Sequence, residues 1–321
     1  MNIAFVFPGQ GSQAVGMGRD LYEASPAARA VFDQADEILR FALTHLCFAG
    51  PEATLIATEH AQPALLTVST ALLAALAEGT GVKESCGYWA GDSTIAPAFV
   101  AGHSLGEYSA LVAAGALSFP TALRLVRRRG ELMAEADEGA MAAIIGMDEA
   151  LLEAICREAS SEGAPVVIAN YNAPGQLVIS GAAAAVERAV GLAKTRGARR
   201  TLPLKVSAAF HSPLMRAAAE GLAEAIHAAP IVDAQVPVVS NVLAQPLSAV
   251  AAIRHELAEQ VMAPVRWIAS VRHMVDAGVD TFVEIGPGMV LTGLIKRIAP
   301  GVRLVNVSDL AGVRAFMSYE L

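Results

Sequence analysis

An apolar tetrapeptide, Ala98-Phe99-Val100-Ala101, runs directly into Gly102-His103-Ser104-Leu105-Gly106, and a helical pattern follows over 105–114. Strand, sharp turn and helix in that order is the signature of an α/β fold, and the turn itself matches G-x-S-x-G. Its glycines permit a strained turn that lifts a serine hydroxyl out at a helix N-terminus. Free backbone N–H groups and the macrodipole favour negative charge there. Ser104 is the first candidate nucleophile.

The rest of the chain extends this architecture. Residues 3–7 read as a strand and 8–12 as a turn into helix, and an amphipathic helix is expected over 62–78 with Gly79 as its stop. From Gly139 the rhythm changes. Strands are expected at 141–145, 166–169, 176–180 and 199–204, helices at 148–160 and 182–195, and a turn at 170–175. That β-α-β-β-α-β order fits a compact inserted subdomain. A helix at 213–228 and strands at 236–240 and 281–285 then resume the larger unit. The expected division is a large α/β domain over 1–137 and 206–321, with a small subdomain over 138–205.

Composition narrows the classes. Of 321 residues, 54 % are hydrophobic and 17 % charged, ample for a buried core. Aromatics are only 5 %, and alanine carries much of the apolar content, which suits tightly packed helices. The longest apolar run, 64–77, is broken by Thr67, Ser69 and Thr70 and falls short of the roughly 20 residues a membrane span needs. No basic, apolar leader opens the chain, so no signal peptide is read. Cys47, Cys86 and Cys156 lie far apart without ligand spacing, as idle thiols in a reducing cytoplasm would. A net charge of −8 argues against nucleic acid. An acidic partner would have to meet a local basic cluster, for which Lys194, Arg196, Arg199, Arg200 and Lys205 are the candidates. The expectations are a cytoplasmic monomer without metal, membrane or nucleic-acid partner.

A serine nucleophile needs a base. Of seven histidines, His45, His60, His227, His255 and His273 lie in helical or polar stretches, and His103 should point away from Ser104. His211 sits on a loop between a strand and a Pro-started helix, where such sheets place their chemistry. On residues alone it stays one candidate among several. Gly9-Gln10-Gly11-Ser12-Gln13-Ala14 fits a dinucleotide fingerprint, but Asp33, Asp36 and Glu37 have no strand before them, so that reading fails. A loop offering N–H groups to an oxyanion fits better.

The helix after Pro120 carries one anomaly. Leu123, Leu125, Val126, Gly130, Leu132 and Met133 fill one face, Arg124, Arg127, Arg128 and Glu131 the other, and Arg129 falls amid the apolar face. A buried arginine needs an anionic partner. Either a structural ion pair or a clamp for a substrate carboxylate satisfies that requirement.

These residues together resemble the malonyl-CoA:acyl-carrier-protein transacylase family of fatty-acid and polyketide synthesis. The likeness is carried by seven motifs in order. They are Phe7-Pro8-Gly9-Gln10-Gly11-Ser12-Gln13, Ala61-Gln62-Pro63-Ala64-Leu65, Gly102-His103-Ser104-Leu105-Gly106-Glu107-Tyr108, Arg129-Gly130 and Phe210-His211-Ser212. Ala263-Pro264-Val265-Arg266-Trp267 and Glu284-Ile285-Gly286-Pro287-Gly288 complete the series.

The resemblance implies an α/β-hydrolase-like core with a parallel sheet and a ferredoxin-like insert. It implies Ser104 as nucleophile, His211 as base, and the backbone N–H groups of Gln10 and Leu105 as oxyanion hole. Arg129 would hold a malonyl carboxylate, the Gln260 carbonyl would orient His211, and Gln62 would line the pocket beside Asn170 and Asn172. Phe210 resembles malonyl-selective members, since methylmalonyl-selective ones carry serine there. Malonyl would pass from coenzyme A, a substrate and not a bound cofactor, to an acyl carrier protein. A free-standing polyketide-pathway acyltransferase and an editing acyl hydrolase are the alternatives; a hydrolase has little need of Arg129. The stretch 86–96 looks longer than the family's usual connection.

Overall fold

Five consecutive apolar residues, Ile3–Phe7, form the first strand, and all five are buried, as a strand covered on both faces of a parallel sheet requires. In the computed structural model, which describes residues 2–80, 96–136, 138–204, 206 and 208–318, the strands are β1 (Ile3–Phe7), β2 (Phe99–Gly102), β3 (Ala140–Ile145), β4 (Val166–Ala173) and β5 (Gln176–Gly181). They continue as β6 (Arg200–Pro203), β7 (Val238–Val239), β8 (Pro246–Leu247), β9 (Thr281–Ile285) and β10 (Arg303–Val307).

One sheet runs β10-β9-β1-β2-β7-β8. It is parallel from β10 to β7, with Phe7 opposite Gly102 and Val6 opposite Glu284, and only β8 is antiparallel. The second sheet is antiparallel throughout, in the order β4-β5-β3-β6. Each sheet has its own core. Phe5, Phe7, Phe32, Leu66 and Leu72 belong to the first; Ile144, Leu152, Ile155, Ile168 and Ile179 belong to the second.

Helix Thr58–Thr80 is longer than 62–78, beginning a turn earlier, ahead of Pro63. Its Thr58–Glu78 stretch is apolar and long enough to cross a membrane by composition alone, which the shorter reading missed, but it is buried inside the protein from Ala61 to Ala77. It packs on helix Phe119–Glu135, whose Gly130 touches it closely. A Cβ there would lie 2.7 Å from the Glu59 Cα. Ser118 caps the second helix, accepting from the Thr121 N–H.

Three expectations need correction. The turn read at 170–175 is mostly strand: β4 continues to Ala173, and the reversal is left to Pro174 and Gly175. Asparagine is a poor strand former, yet here β4 bulges twice, and Asn170 pairs in parallel with Val265 of the other unit. The strand at 236–240 shrinks to two residues because the chain turns at once, with Ser240 accepting from the Leu243 N–H. The helix at 213–228 opens with a 3₁₀ turn, Pro213–Met215. Residues 86–95 of the long connection lie outside the described residues.

Candidate active site

β2 ends at Gly102, and two residues later Ser104 takes φ +51°, a left-handed conformation rare for a non-glycine residue. The flanking glycines are required by contact. A Cβ on Gly102 would sit 1.9 Å from the Gly106 carbonyl carbon, and one on Gly106 would sit 2.1 Å from the Phe7 oxygen. Asn241, just beyond β7, clasps the turn: its Oδ1 accepts from the Ser104 N–H at 2.7 Å and its Nδ2 donates to the Gly102 oxygen at 2.7 Å. Helix Gly106–Ala113 follows, buried along its whole length.

His211 meets Ser104 from another loop. Its Nε2 lies 2.8 Å from Ser104 Oγ, and its Nδ1 faces two carbonyl oxygens, Gln260 at 2.9 Å and Ala263 at 3.0 Å. Carbonyls only accept, so the proton sits on Nδ1 and Nε2 is left as the acceptor for the serine hydroxyl. His211 is itself held at φ +58°, with its N–H on the Val261 oxygen. Burial, and next to it the Arg129 charge, push its pKa down to about 3. It is a neutral imidazole across the physiological range.

Arg129 is only 1 % exposed. Nη1 donates to Gln62 Oε1 at 2.8 Å, and Nη2 donates to Ser104 Oγ and to Gln260 Oε1, each at 3.1 Å. The guanidinium also lies 5.8 Å above the Tyr108 ring. No carboxylate pairs with it among the described residues, so a direct structural ion pair is not what fills its place. Burial lowers its pKa from the arginine range. Of its neighbours on the helix, Arg128 is exposed, while Arg127 is half-buried, bonded to Glu131 at 2.6 Å and stacked over Phe41.

A cavity of about 420 Å³ opens onto these groups, lined by Gln10, Leu105, Ser104, His211, Arg129, Asn170 and Phe210 among others. Among the described residues neither the Gln10 nor the Leu105 N–H is used in a hydrogen bond. Gln62 is misplaced by the sequence reading. It is fully buried behind Arg129 and does not line the cavity, and its Nε2 donates to Thr58, which donates to Gln10. Asn172 does not line it either; its Oδ1 accepts from His103 Nε2 at 2.7 Å. His103 points away from the Ser104 hydroxyl as expected, but it forms part of the cavity wall.

Sequence reasoning missed the Asn241 clasp and the Gln260 side chain. Gln260 Nε2 donates to the Ser104 oxygen at 2.9 Å and also to Glu107. Position just past a strand was the one available signal for Asn241. In the basic cluster, Arg196 is already paired with Glu158, Lys194, Arg199 and Arg200 are exposed, and Lys205 lies outside the described residues. Cys47 and Cys156 are buried free thiols whose pKa burial pushes up to about 12. Among the described residues no group of three His, Cys, Asp or Glu side chains could hold a metal ion.

Residues 4–313 match the acyl transferase domain family. A malonyl CoA-acyl carrier protein transacylase of Bacillus subtilis is 51 % identical over 310 residues, spanning 96 % of this chain and 93 % of that protein. The chain belongs to this transacylase family. Among solved structures, the acyl-carrier-protein-S-malonyltransferase of Bartonella henselae superposes with a TM-score of 0.92 at 42 % identity, over 99 % of this chain and 98 % of that one. A malonyl-transacylase solved in complex with a type II PKS acyl-carrier protein superposes at 0.91, also 42 % identical, over 99 % of each chain.

Proposed function

We propose that this chain transfers malonyl from coenzyme A to the phosphopantetheine thiol of an acyl carrier protein through an ester on Ser104. The observation that carries the reading is Arg129. Its buried guanidinium has no acidic partner among the described residues, and its Nη2 lies 3.1 Å from the hydroxyl that His211 is placed to deprotonate. An acyl group with its own carboxylate supplies the missing partner, in fork geometry. The names of the relatives point the same way.

The mechanism follows from the geometry. His211 Nε2 takes the Ser104 proton as Oγ attacks the thioester carbon. The Gln10 and Leu105 N–H groups, free of other partners among the described residues, receive the oxyanion. The tetrahedral intermediate collapses, and coenzyme A leaves with the proton from His211. The carrier thiol then attacks the malonyl-serine ester by the same steps, giving ping-pong kinetics. A malonyl carboxylate on Arg129 offsets the positive charge that depresses His211, so the base strengthens when the proper substrate arrives.

The two sheets are read as an α/β-hydrolase-like core over 1–137 and 206–321 and a ferredoxin-like insert over 138–205. The separate cores and the β4-β5-β3-β6 order support that division. The working form is taken as a cytoplasmic monomer. Intact-mass analysis of the protein mixed with malonyl-CoA, then with carrier, tests the function. A malonyl adduct that moves to the carrier is expected; an adduct released as malonate in the carrier's presence favours a hydrolase, and no adduct sinks both.

A further inference from the structure

Among the described residues, the three side chains that Arg129 donates to are all uncharged, and its Nε has no partner. A guanidinium kept so dry without a counter-charge is costly. The nearest route to an anion runs through Gln260, whose Oε1 accepts from Arg129 while its Nε2 donates to Glu107 Oε2. Glu107 is 1 % exposed, and its other oxygen accepts from the Asn241 N–H at 3.3 Å. Glu256, 4 % exposed, accepts from Ser240 Oγ at 2.5 Å and from the Val242 N–H at 2.9 Å, the N–H next along the chain from the one that Glu107 holds. Two buried carboxyls held on consecutive backbone N–H groups oppose each other's ionisation. Burial, and next to it the Glu256 charge, hold Glu107 well above the usual carboxylate range.

We propose that Glu107 and Glu256 share a proton and that their single negative charge, relayed by Gln260, is the resident counter-charge of Arg129 and limits its grip on a substrate carboxylate. The two glutamates are positioning residues, acting through Gln260 without touching the acyl group. Two hydrogen bonds and one amide separate Glu107 from Arg129, roughly 7 Å end to end. With a protein dielectric near 20, like charges about 10 Å apart shift a binding equilibrium on the order of tenfold. The pair should weaken malonyl binding by about that factor while leaving a neutral acyl group untouched. This second consequence rests on the malonyl reading; the charge coupling to Arg129 does not.

Glutamine variants separate charge from shape. In Glu107→Gln an amide N–H replaces the shared proton and the charge remains on Glu256; in Glu256→Gln it remains on Glu107. Only the double variant removes it. The ratio of kcat/KM for malonyl-CoA to that for acetyl-CoA should stay within about twofold of wild type in each single variant and rise on the order of tenfold in the double. A single variant that shifts the ratio alone, or a double variant that loses both activities in parallel, overturns the proposal. A second measurement needs no substrate. The double substitution should lower Tm in the wild-type background and much less in Arg129→Met, which has no charge to compensate. Equal Tm losses in both backgrounds overturn it as well. Were the wild type to take no malonyl adduct, the function would fail while the Tm cycle still judged the coupling.

Discussion

The six-stranded sheet brings Ser104 to the end of β2 and Gln10 to the end of β1, and the loops and helices beside it supply Leu105, Arg129, His211 and Gln260. The four-stranded sheet brings Met141 and Asn170 to the cavity wall and ties Asn172 to His103. One unit carries groups that can gain or lose a proton or hold a charge; the other carries shape and amides. Parallel strands converge their C-terminal ends on one crevice, where loops can strain a residue such as Ser104 into place. An antiparallel sheet with one solvated face offers a wall. The seam is fixed by the Asn170–Val265 bridge, with the Tyr171 N–H on the Val265 oxygen at 2.9 Å and the Val265 N–H on Ala169 at 2.8 Å.

The contrast predicts where substitutions hurt. Ser104→Ala should abolish the acyl adduct and cut turnover by about 10⁴–10⁶, as loss of a serine nucleophile does; malonylation of that variant elsewhere would remove Ser104 from the chemistry. Next comes Arg129→Ala. Hydrogen bonds to charged groups contribute roughly 1.5–3 kcal/mol each, so malonyl-CoA activity should fall by orders of magnitude while acetyl-CoA activity holds or rises. Arg128→Ala, one residue away and exposed, should change neither. Comparing kcat/KM for both thioesters decides it, and a parallel loss at Arg129 would make that residue structural.

Much of the larger unit was legible because its signals are local. A buried parallel strand must be an apolar run, a nucleophile turn must carry glycines, and an arginine on an apolar helix face stands out. Gln62 could not be placed because its partners, Thr58 one turn before it and Arg129 on a helix 67 residues away, decide which way the amide faces. Asn241, the Gln260 side chain and Glu256 were invisible for the same reason, their contacts joining residues 14 to 156 positions apart. In the smaller unit, the succession of elements along the chain was readable from the β-α-β-β-α-β rhythm. Asn170 and Asn172 were read as turn because strand propensity is weak and tertiary pairing overrode it.

Acid should act on the larger unit through His211. Its folded pKa of about 3 lies below the ordinary 6.5, so the unfolded chain binds the extra proton first. The stability contributed by burying the neutral ring is present above pH 6.5 and lost as pH falls toward 3, by up to about 1.4 kcal/mol per pH unit. His211→Gln lacks that proton. The Tm advantage of wild type over the variant should therefore shrink between pH 7 and 4. A constant difference would mean that the ring titrates normally and is open to water.

The smallest effect is expected at the seam, from Asn172→Ala. Asn172 Oδ1 is an acceptor only, so His103 carries its proton on Nε2 and points it at the second unit. Alanine leaves that N–H, on the residue before the nucleophile, facing the half-buried seam without a partner. A neutral hydrogen bond nets about 1 kcal/mol, so kcat/KM should drop about fivefold. The drop should be equal for malonyl-CoA and acetyl-CoA, because Asn172 does not line the cavity and has no means of sensing the acyl charge. Intact Asn170–Val265 pairing should keep the Tm within a few degrees. A hundredfold loss, or one confined to malonyl-CoA, would place the smaller unit inside the chemistry and dissolve the division of labour between the two sheets.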